Sequence, residues 1–401
     1  MKKILVVQVL LVVSLVKLEA QEGFHFDFHG FVNPHYYADS RSVVGGREDM
    51  MLFYPKPIVR DAQGNDINDG WQANMLAITA RLNVKITGPD MLGAKTSAFV
   101  EGDFTGATNS TINNLRLRHA YFTLDWGRHK LLAGQYWYAM VTHEIMPMTN
   151  PLNMGAPFHC YARQPQVRYT YSLDGLEAVA VAQWQLDNMS QGLLNGVPTS
   201  STLFARHSIL PELNAQLRYR TSRLFIGAAA NLKSIQPVVN TAGEVSPQQL
   251  HHSLSYSIFG SYRFEEGFTV KVQTLFNNSL YEGCSLGGYI LVHKPDGGYW
   301  TRDWHFNTIW LDLERNCGHW RPGLFMGYAK RNHIVSPTED MMPFDIFGRG
   351  AELLYLWRIQ PRLTYTTQKG LSFVGEAEYT YAGYDEPVGN LRLSLSAVYA
   401  F

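Results

Sequence analysis

A period of two, sustained over segments of about 9–14 residues, constrains this chain more than any other feature. The clearest case is residues 390–401, NLRLSLSAVYAF. Leu391, Leu393, Leu395, Ala397, Tyr399 and Phe401 fall on one face of a strand, while Arg392, Ser394 and Ser396, joined by Val398 and Ala400, fall on the other. The same alternation runs through 166–173 (QVRYTYSL), 212–220 (ELNAQLRYR) and 253–264 (SLSYSIFGSYRF). Successive strand side chains point to opposite faces, so each segment has one apolar and one polar wall. Strands of soluble sandwiches alternate too, but they usually run about 5–6 residues, whereas tilted membrane strands need about 9–11.

The connections sharpen the distinction. Short breaks fall near Gly88-Pro89, Gly127-Arg128, Asp174-Gly175, Ser222-Arg223, Glu266-Gly267, 316–319 and Lys369-Gly370. Longer ones cover about 42–70, 106–113, 141–163, 188–211, 238–252, 281–300 and 333–350, with a brief one at 385–389. Seven turns alternating with eight loops imply sixteen strands with both chain ends on one side. The expected fold is therefore an all-β transmembrane antiparallel barrel with short periplasmic turns and long extracellular loops. Aromatic residues near strand ends, such as Trp126, Phe268, Trp320, Tyr169 and Tyr171, suit the interfacial belts of such a barrel. Charged residues are only 17% of the chain, below the roughly 25% of soluble domains, as an apolar outer wall requires. The 34 basic and 34 acidic residues cancel, which argues against nucleic-acid binding, because neutralising phosphates needs a basic excess. An aromatic content of 13% argues against disorder.

Residues 1–20 read as a cleaved signal peptide, with Met1-Lys2-Lys3 ahead of an apolar run from Ile4 to Val16 and a small Ala20 at its end. A retained helical anchor is the alternative. The barrel then spans 21–401, and no other apolar run approaches the ~20 residues of a membrane helix. Three cysteines, Cys160, Cys284 and Cys317, are too few for a disulfide scaffold. The first two fall on the external side, where they could pair, and Cys317 sits at the opposite end.

The terminal Phe401, with Tyr399, Ala397 and Leu395 on its face, resembles the C-terminal assembly signal of Gram-negative outer-membrane proteins. Residues 101–104 (EGDF), 115–122 (LRLRHAYF) and 131–137 (LLAGQYW) are similar to the early strands of DcaP-like porins. That resemblance implies a trimeric, sixteen-stranded barrel in the outer membrane that passes small, often dicarboxylic, anions. Partners would be the lipid bilayer, the solutes, the outer-membrane assembly machinery and two further copies of the chain. Gln21, at the expected new N-terminus, is a weak sign of a Bacteroidetes source.

Turning the apolar faces to lipid sends the opposite set into the lumen. Charged groups at mid-membrane on the lipid face cost about 2–4 kcal/mol, so this orientation is favoured over its inverse. The lumen then receives Arg81, Asn83 and Lys85, then Lys95, Glu101 and Asp103, then Arg116 and Arg118. Gln166, Arg168, Arg218, Arg220, Lys271, Gln273, Arg358, Arg362, Glu376, Glu378 and Arg392 follow. An arginine excess on a wet wall selects anions. The loop at 141–163 carries few charges and could fold inside the barrel, placing His143, Glu144, His159 and Arg163 near a constriction; an ordinary surface loop is the alternative. Two strands break the alternation. In 301–315 Trp304, Phe306 and Trp310 share the parity opposite Ile309, Leu311 and Leu313, and Phe122 and Leu124 share parity with Arg116 and Arg118. A bulge, a trimer contact or a covering loop would each explain this.

Other chemistry is sparse. His25, Asp27 and His29 share one face, as metal ligands can, though lumen-lining is the plainer reading. No H-E-x-x-H or phosphate-binding glycine loop occurs. The sequence thus points to a passive porin with mild anion preference that needs no catalytic residue, metal or cofactor. The rivals are an outer-membrane hydrolase with a triad drawn from separate strands, and a non-conducting structural or adhesive barrel.

Overall fold

The computed structural model describes residues 23–150, 154–241, 249–332, 342–367 and 370–401. The signal-peptide segment lies outside them. Sixteen antiparallel strands close into one barrel, each paired with its sequence neighbours. In order they are β1 (His25–Val32, continued by His35–Arg41), β2 (Asp69–Leu76, continued by Arg81–Thr87), β3 (Lys95–Asp103) and β4 (Arg116–Asp125). Next come β5 (His129–Trp137), β6 (Arg163–Leu173), β7 (Leu176–Gln183), β8 (Glu212–Arg220), β9 (Leu224–Ile235) and β10 (His251–Arg263). The circuit ends with β11 (Phe268–Asn278), β12 (Phe306–Arg315), β13 (Trp320–Arg331), β14 (Tyr355–Thr366), β15 (Leu371–Gly383) and β16 (Val388–Ala400). Among the described residues no helix is long and apolar enough to cross a membrane.

Local sequence explains the irregular joints. Pro34 lacks a backbone N–H and interrupts β1, and β2 is interrupted opposite it, so the two halves of β1 pair separately with 69–76 and 81–87. The turn between β6 and β7 is a two-residue hairpin whose Asp174 and Gly175 both take positive φ, 48° and 87°, the twist that joins antiparallel strands without splaying them. Closure joins β16 to β1 through Ser396 opposite His35 and Tyr399 opposite Val32. Phe401 extends the seam, exchanging backbone hydrogen bonds with Gly30 at 2.9 and 3.0 Å. A side chain at residue 30 would sit 2.6 Å from the Arg81 carbonyl and 2.8 Å from the Phe401 ring. The last residue of the chain thus depends on a glycine in the first strand.

Burial alternates in the reverse of the soluble pattern. Along β8, Glu212, Asn214, Gln216 and Arg218 are buried, while Leu213, Ala215, Leu217 and Tyr219 are exposed. The polar wall faces in and the apolar wall faces out. Both breaks in alternation have a structural cause. On β4, Glu101 pairs with His119 and Gly102 with Leu117, which leaves Arg118 as the extra residue of a β-bulge. Beyond it the parity reverses, so Tyr121 and Thr123 face in and Phe122 and Leu124 face out. The segment 301–315 is two strands rather than one. Tyr299–Trp304 belongs to a loop sheet with Gly287–His293, and only Phe306–Arg315 is wall. There Phe306 and Trp310 face in because a loop covers them.

Two loops fill this side of the barrel. In the third loop, residues 138–162, Phe158 packs 6.2 Å from Phe325 between ring centroids, Trp310 stacks on Phe325, and His159 meets Trp310 edge-on. In the first loop, residues 42–68, the strand Met51–Pro55 is wholly buried and hands the Leu52 and Phe53 carbonyls to Arg358 of β14 at 3.1 Å each. The apolar run at 50–54 marked this loop as internal, a signal that its position between strands one and two concealed.

Two outcomes follow. Leu217→Lys, mid-strand on the outer face, should cost about 2–4 kcal/mol of folding free energy in lipid vesicles, whereas Leu217→Ala should cost far less; denaturant titration of the reconstituted barrel measures both. At Gly327 of β13 a Cβ would fall 2.6 Å from the Phe158 ring. Gly327→Ala should therefore unseat the third loop while the barrel still folds, seen as protease cleavage within 138–162 that the unaltered chain resists.

Candidate functional site

The third loop leaves β5, crosses the interior and returns to β6. Its outgoing limb is fixed by Ala139 N–H donating to Gln183 Oε1 at 3.0 Å and by Gln216 donating to the Ala139 carbonyl at 2.7 Å. At its far point Asn150 N–H donates to both Glu376 oxygens at 3.1 and 3.2 Å, and Ser396 Oγ donates to Asn150 Oδ1 at 2.7 Å. The returning limb is held by Arg358 to the Ala156 carbonyl at 2.7 Å and by a 2.6 Å bond between His159 Nδ1 and Gln273 Oε1. The contacts run from β7 and β8 to β15 and β16, so the loop spans the barrel and divides its interior.

The two sides differ in charge. Beyond the loop, cations and anions balance. Arg362 makes a two-pronged contact with Asp312 at 2.6 and 3.0 Å, Lys271 lies 3.2 Å from Glu314, Arg358 lies 3.0 Å from Glu378, and Arg392 clamps Asp39 at 2.7 Å. These groups are buried and hold the loops in place. Arg358 and Arg362 thus point inward and are buried, Arg358 under the Leu52, Phe53 and Ala156 carbonyls of loops one and three, while His159, within loop three, is buried against Gln273 and Trp310. Burial lowers His159 to about 4, so it is neutral.

On the other side, formed by β2 to β8, arginines outnumber the carboxylates they touch. Arg116 and Arg118 share Asp103 at 3.0 and 2.9 Å, Arg118 reaches Glu101 at 2.6 Å, and Arg81 lies 3.7 Å from Glu101. Below them Arg218 and Arg220 share Glu144 of the third loop at 2.9 and 3.4 Å, and His143 lies 3.3 Å from the same carboxylate. Glu144 is held ionised: burial pushes its carboxyl up, but Arg218 and His143 bring it below the usual range. Lys85 keeps inward parity but is exposed near the end of its strand.

Arg163 and Arg168 are held differently. Among the described residues neither has a carboxylate within salt-bridge distance. Arg163 lies over the Trp137 and Tyr161 rings at 4.9 and 5.1 Å and donates to Tyr161 Oη at 3.4 Å. Arg168 donates to Gln166 Oε1 at 3.1 Å and lies over the Tyr136 ring at 5.4 Å. Aromatic faces stabilise a guanidinium without cancelling its charge. Tyr161 is itself unusual. Burial would raise its phenol, but Arg118, Arg163 and Arg81 bring it down to about 7. Tyr136 and Trp137 lie in the 131–137 segment and Tyr161 in the third loop, but their place against arginines emerges only from register and from the inward loop.

Two polar cavities lie near these arginines, one on this side and one reaching from Arg220 across β9 to β12. One of about 40 Å³, toward the long loops, is bordered by Arg47, Arg116, Tyr161, Arg163 and Asp187. The other, about 270 Å³ at the short-turn end, is bordered by Glu144, Arg220, Arg223, Arg263, Lys271 and Glu314. Arg168, Arg218, Tyr136 and His143 stand between the two groups of residues.

Among the described residues a Ser, His and Asp group bears on the hydrolase reading, and it lacks triad geometry. Ser253, His251 and Asp303 do converge, but His251 Nε2 faces both Ser253 Oγ at 3.4 Å and Asp303 Oδ1 at 3.1 Å, and Ser253 also donates directly to Asp303. A triad needs one imidazole nitrogen on the nucleophile and the other on the acid; here Nδ1 is taken up by Thr301 at 3.1 Å. His25 pairs with Asp27 at 2.8 Å, and among the described residues no group of three such side chains has metal-holding geometry. In this structure no sulfur of Cys160, Cys284 or Cys317 is bonded to another.

No protein-family model matches the sequence, and no curated protein matches it either. Solved structures do match in shape. The outer membrane channel DcaP of Acinetobacter baumannii superimposes with a TM-score of 0.68 at 17% identity, covering 96% of this chain and 100% of that one. An anion-selective porin from Comamonas acidovorans gives 0.53 at 9% identity, covering 94% and 100%. The trimer form of OmpT, an outer membrane protein of Vibrio cholerae, gives 0.55 at 9% identity, covering 95% and 100%. At these identities the likeness is one of fold: this chain has the closed sixteen-stranded barrel of the outer-membrane porins.

Proposed function

We propose that this chain is an outer-membrane porin, a passive diffusion channel for small hydrophilic solutes that favours anions, dicarboxylates among them. The observation that carries the reading is the pair Arg163 and Arg168, whose charges are held by rings and amides rather than cancelled by carboxylates. A guanidinium in a confined wet passage stabilises a partly dehydrated anion and repels cations. The path runs from the external cavity at Arg163 past Arg168 and Arg218 to the periplasmic cavity at Arg220, with the third loop as its opposite wall and Glu144 as the loop's charged contribution. Outward-facing Tyr399 and Phe401 serve as the assembly signal, and the barrel assembles as a homotrimer, a state that the trimer form of the Vibrio cholerae protein makes compatible with this architecture.

The competing reading, a filled barrel that conducts nothing, draws support from the dense packing of the far half of the interior. Solute influx into proteoliposomes separates the two. Succinate should enter faster than a neutral or cationic solute of similar size, and Arg163→Gln combined with Arg168→Gln should remove most of that difference while neutral influx persists. No influx at all would leave the filled barrel standing.

The pH dependence has a definite sign. Below about 7 Tyr161 is a neutral phenol, and above it a phenolate that offsets one of the neighbouring arginines. Anion preference should fall as pH rises from about 6 to about 8, and Tyr161→Phe should flatten the profile, as read by chloride-to-potassium permeability ratios at each pH.

A further inference from the structure

The third loop and the sixth, residues 279–305 between β11 and β12, touch where both carry a cysteine. Tyr161 N–H donates to the Gly283 carbonyl at 2.6 Å, so the peptide units 160–161 and 283–284 are bonded to each other directly. Covalent geometry then limits the Cα separation of Cys160 and Cys284 to about 8 Å. Gly283 makes the approach feasible: the Cys160 Cβ lies 3.7 Å from where a side chain on residue 283 would begin. Both cysteines pack into the same apolar cluster. Cys160 is fully buried, whereas Cys284 is partly exposed and borders the external polar cavity. Cys284 also ends the short turn Tyr281–Gly283 with a left-handed backbone, φ 61°, a conformation that a non-glycine residue keeps only when its surroundings hold it. Ser285 Oγ, donating to the Pro157 carbonyl at 3.1 Å, adds a second tie between the same two loops.

We infer that Cys160 and Cys284 form a disulfide that clasps the inward third loop to the sixth loop. A disulfide needs its Cα atoms roughly 4.4–6.8 Å apart, within a small adjustment of the separation this contact allows. The oxidant is a disulfide of the periplasmic thiol-oxidising class, met before the barrel closes over Cys160. One cysteine thiolate attacks that disulfide, giving a mixed disulfide and releasing the first thiol of the oxidant; the second cysteine thiolate then displaces the remaining thiol. Two cysteine thiols lose two protons and two electrons, and one disulfide of the oxidant becomes two thiols. Cys317 takes no part, since it is exposed in the turn between β12 and β13 at the opposite end of the barrel.

The clasp is tested on the full chain purified from outer membranes with iodoacetamide present throughout, digested without reductant and analysed by mass spectrometry. The expected product is a peptide pair joined through Cys160 and Cys284, with the alkyl label on Cys317 alone. Reduction should raise the rate of protease cleavage within 138–162 several-fold, and Cys284→Ser should show the raised rate without reductant. If Cys160 and Cys284 both carry the label, and chain refolded in detergent with oxidised glutathione still gives no joined peptide, the clasp does not exist. A joined peptide with unchanged loop cleavage on reduction would overturn its role in holding the loop.

Discussion

Everything in this structure depends on a hydrogen-bond ladder without an edge. In lipid an unpaired backbone group costs several kcal/mol, so a sheet crosses a membrane only if its last strand finds its first. Here that junction is made by β16 on a first strand broken at Pro34, and it is completed by Phe401 lying over Gly30. Once the ladder closes, side-chain parity has one consequence outside and another inside. The outer wall must be apolar along every strand, and the inner wall inherits nearly all of the charge.

A polar interior does not by itself make a selective passage, because arginines paired one-to-one with carboxylates present little net charge. The third loop creates the asymmetry. On one side it lies on an apolar surface of Trp310, Phe325 and Gly327 and is pinned by buried, balanced ion pairs. The opposite side, β2 to β8, has no such balance. There the carboxylates are used up by Arg116, Arg118, Arg218 and Arg220, and Arg163 and Arg168 are left with aromatic and amide partners. The loop's packing and the wall's charge are therefore parts of one arrangement.

Much of the barrel was legible in the sequence because period-two alternation, turn residues and strand length are local signals. The inward positions of Arg81, Arg168 and Arg218 follow from parity alone. Parity fails where one residue is inserted or where the lumen is not wet. The bulge at Arg118 reverses β4 with no glycine or proline on β4 itself to mark it, and Trp310 faces inward because a loop distant in sequence covers it. The same limit separates Arg358 from Arg168. Both are inward arginines on alternating strands, and only the path of the first and third loops decides which is buried under backbone carbonyls. Tyr161 and Trp137 were invisible for a related reason, since their significance is their contact with Arg163 and not their own pattern.

The central claim, that uncancelled arginines line a continuous aqueous path, is tested most directly by the zero-current potential of the purified protein in a planar bilayer across a tenfold potassium chloride gradient. The account predicts discrete channels whose reversal potential has the sign of chloride selectivity. A potential of potassium-selective sign, or a bilayer that stays silent with folded protein inserted, would contradict it.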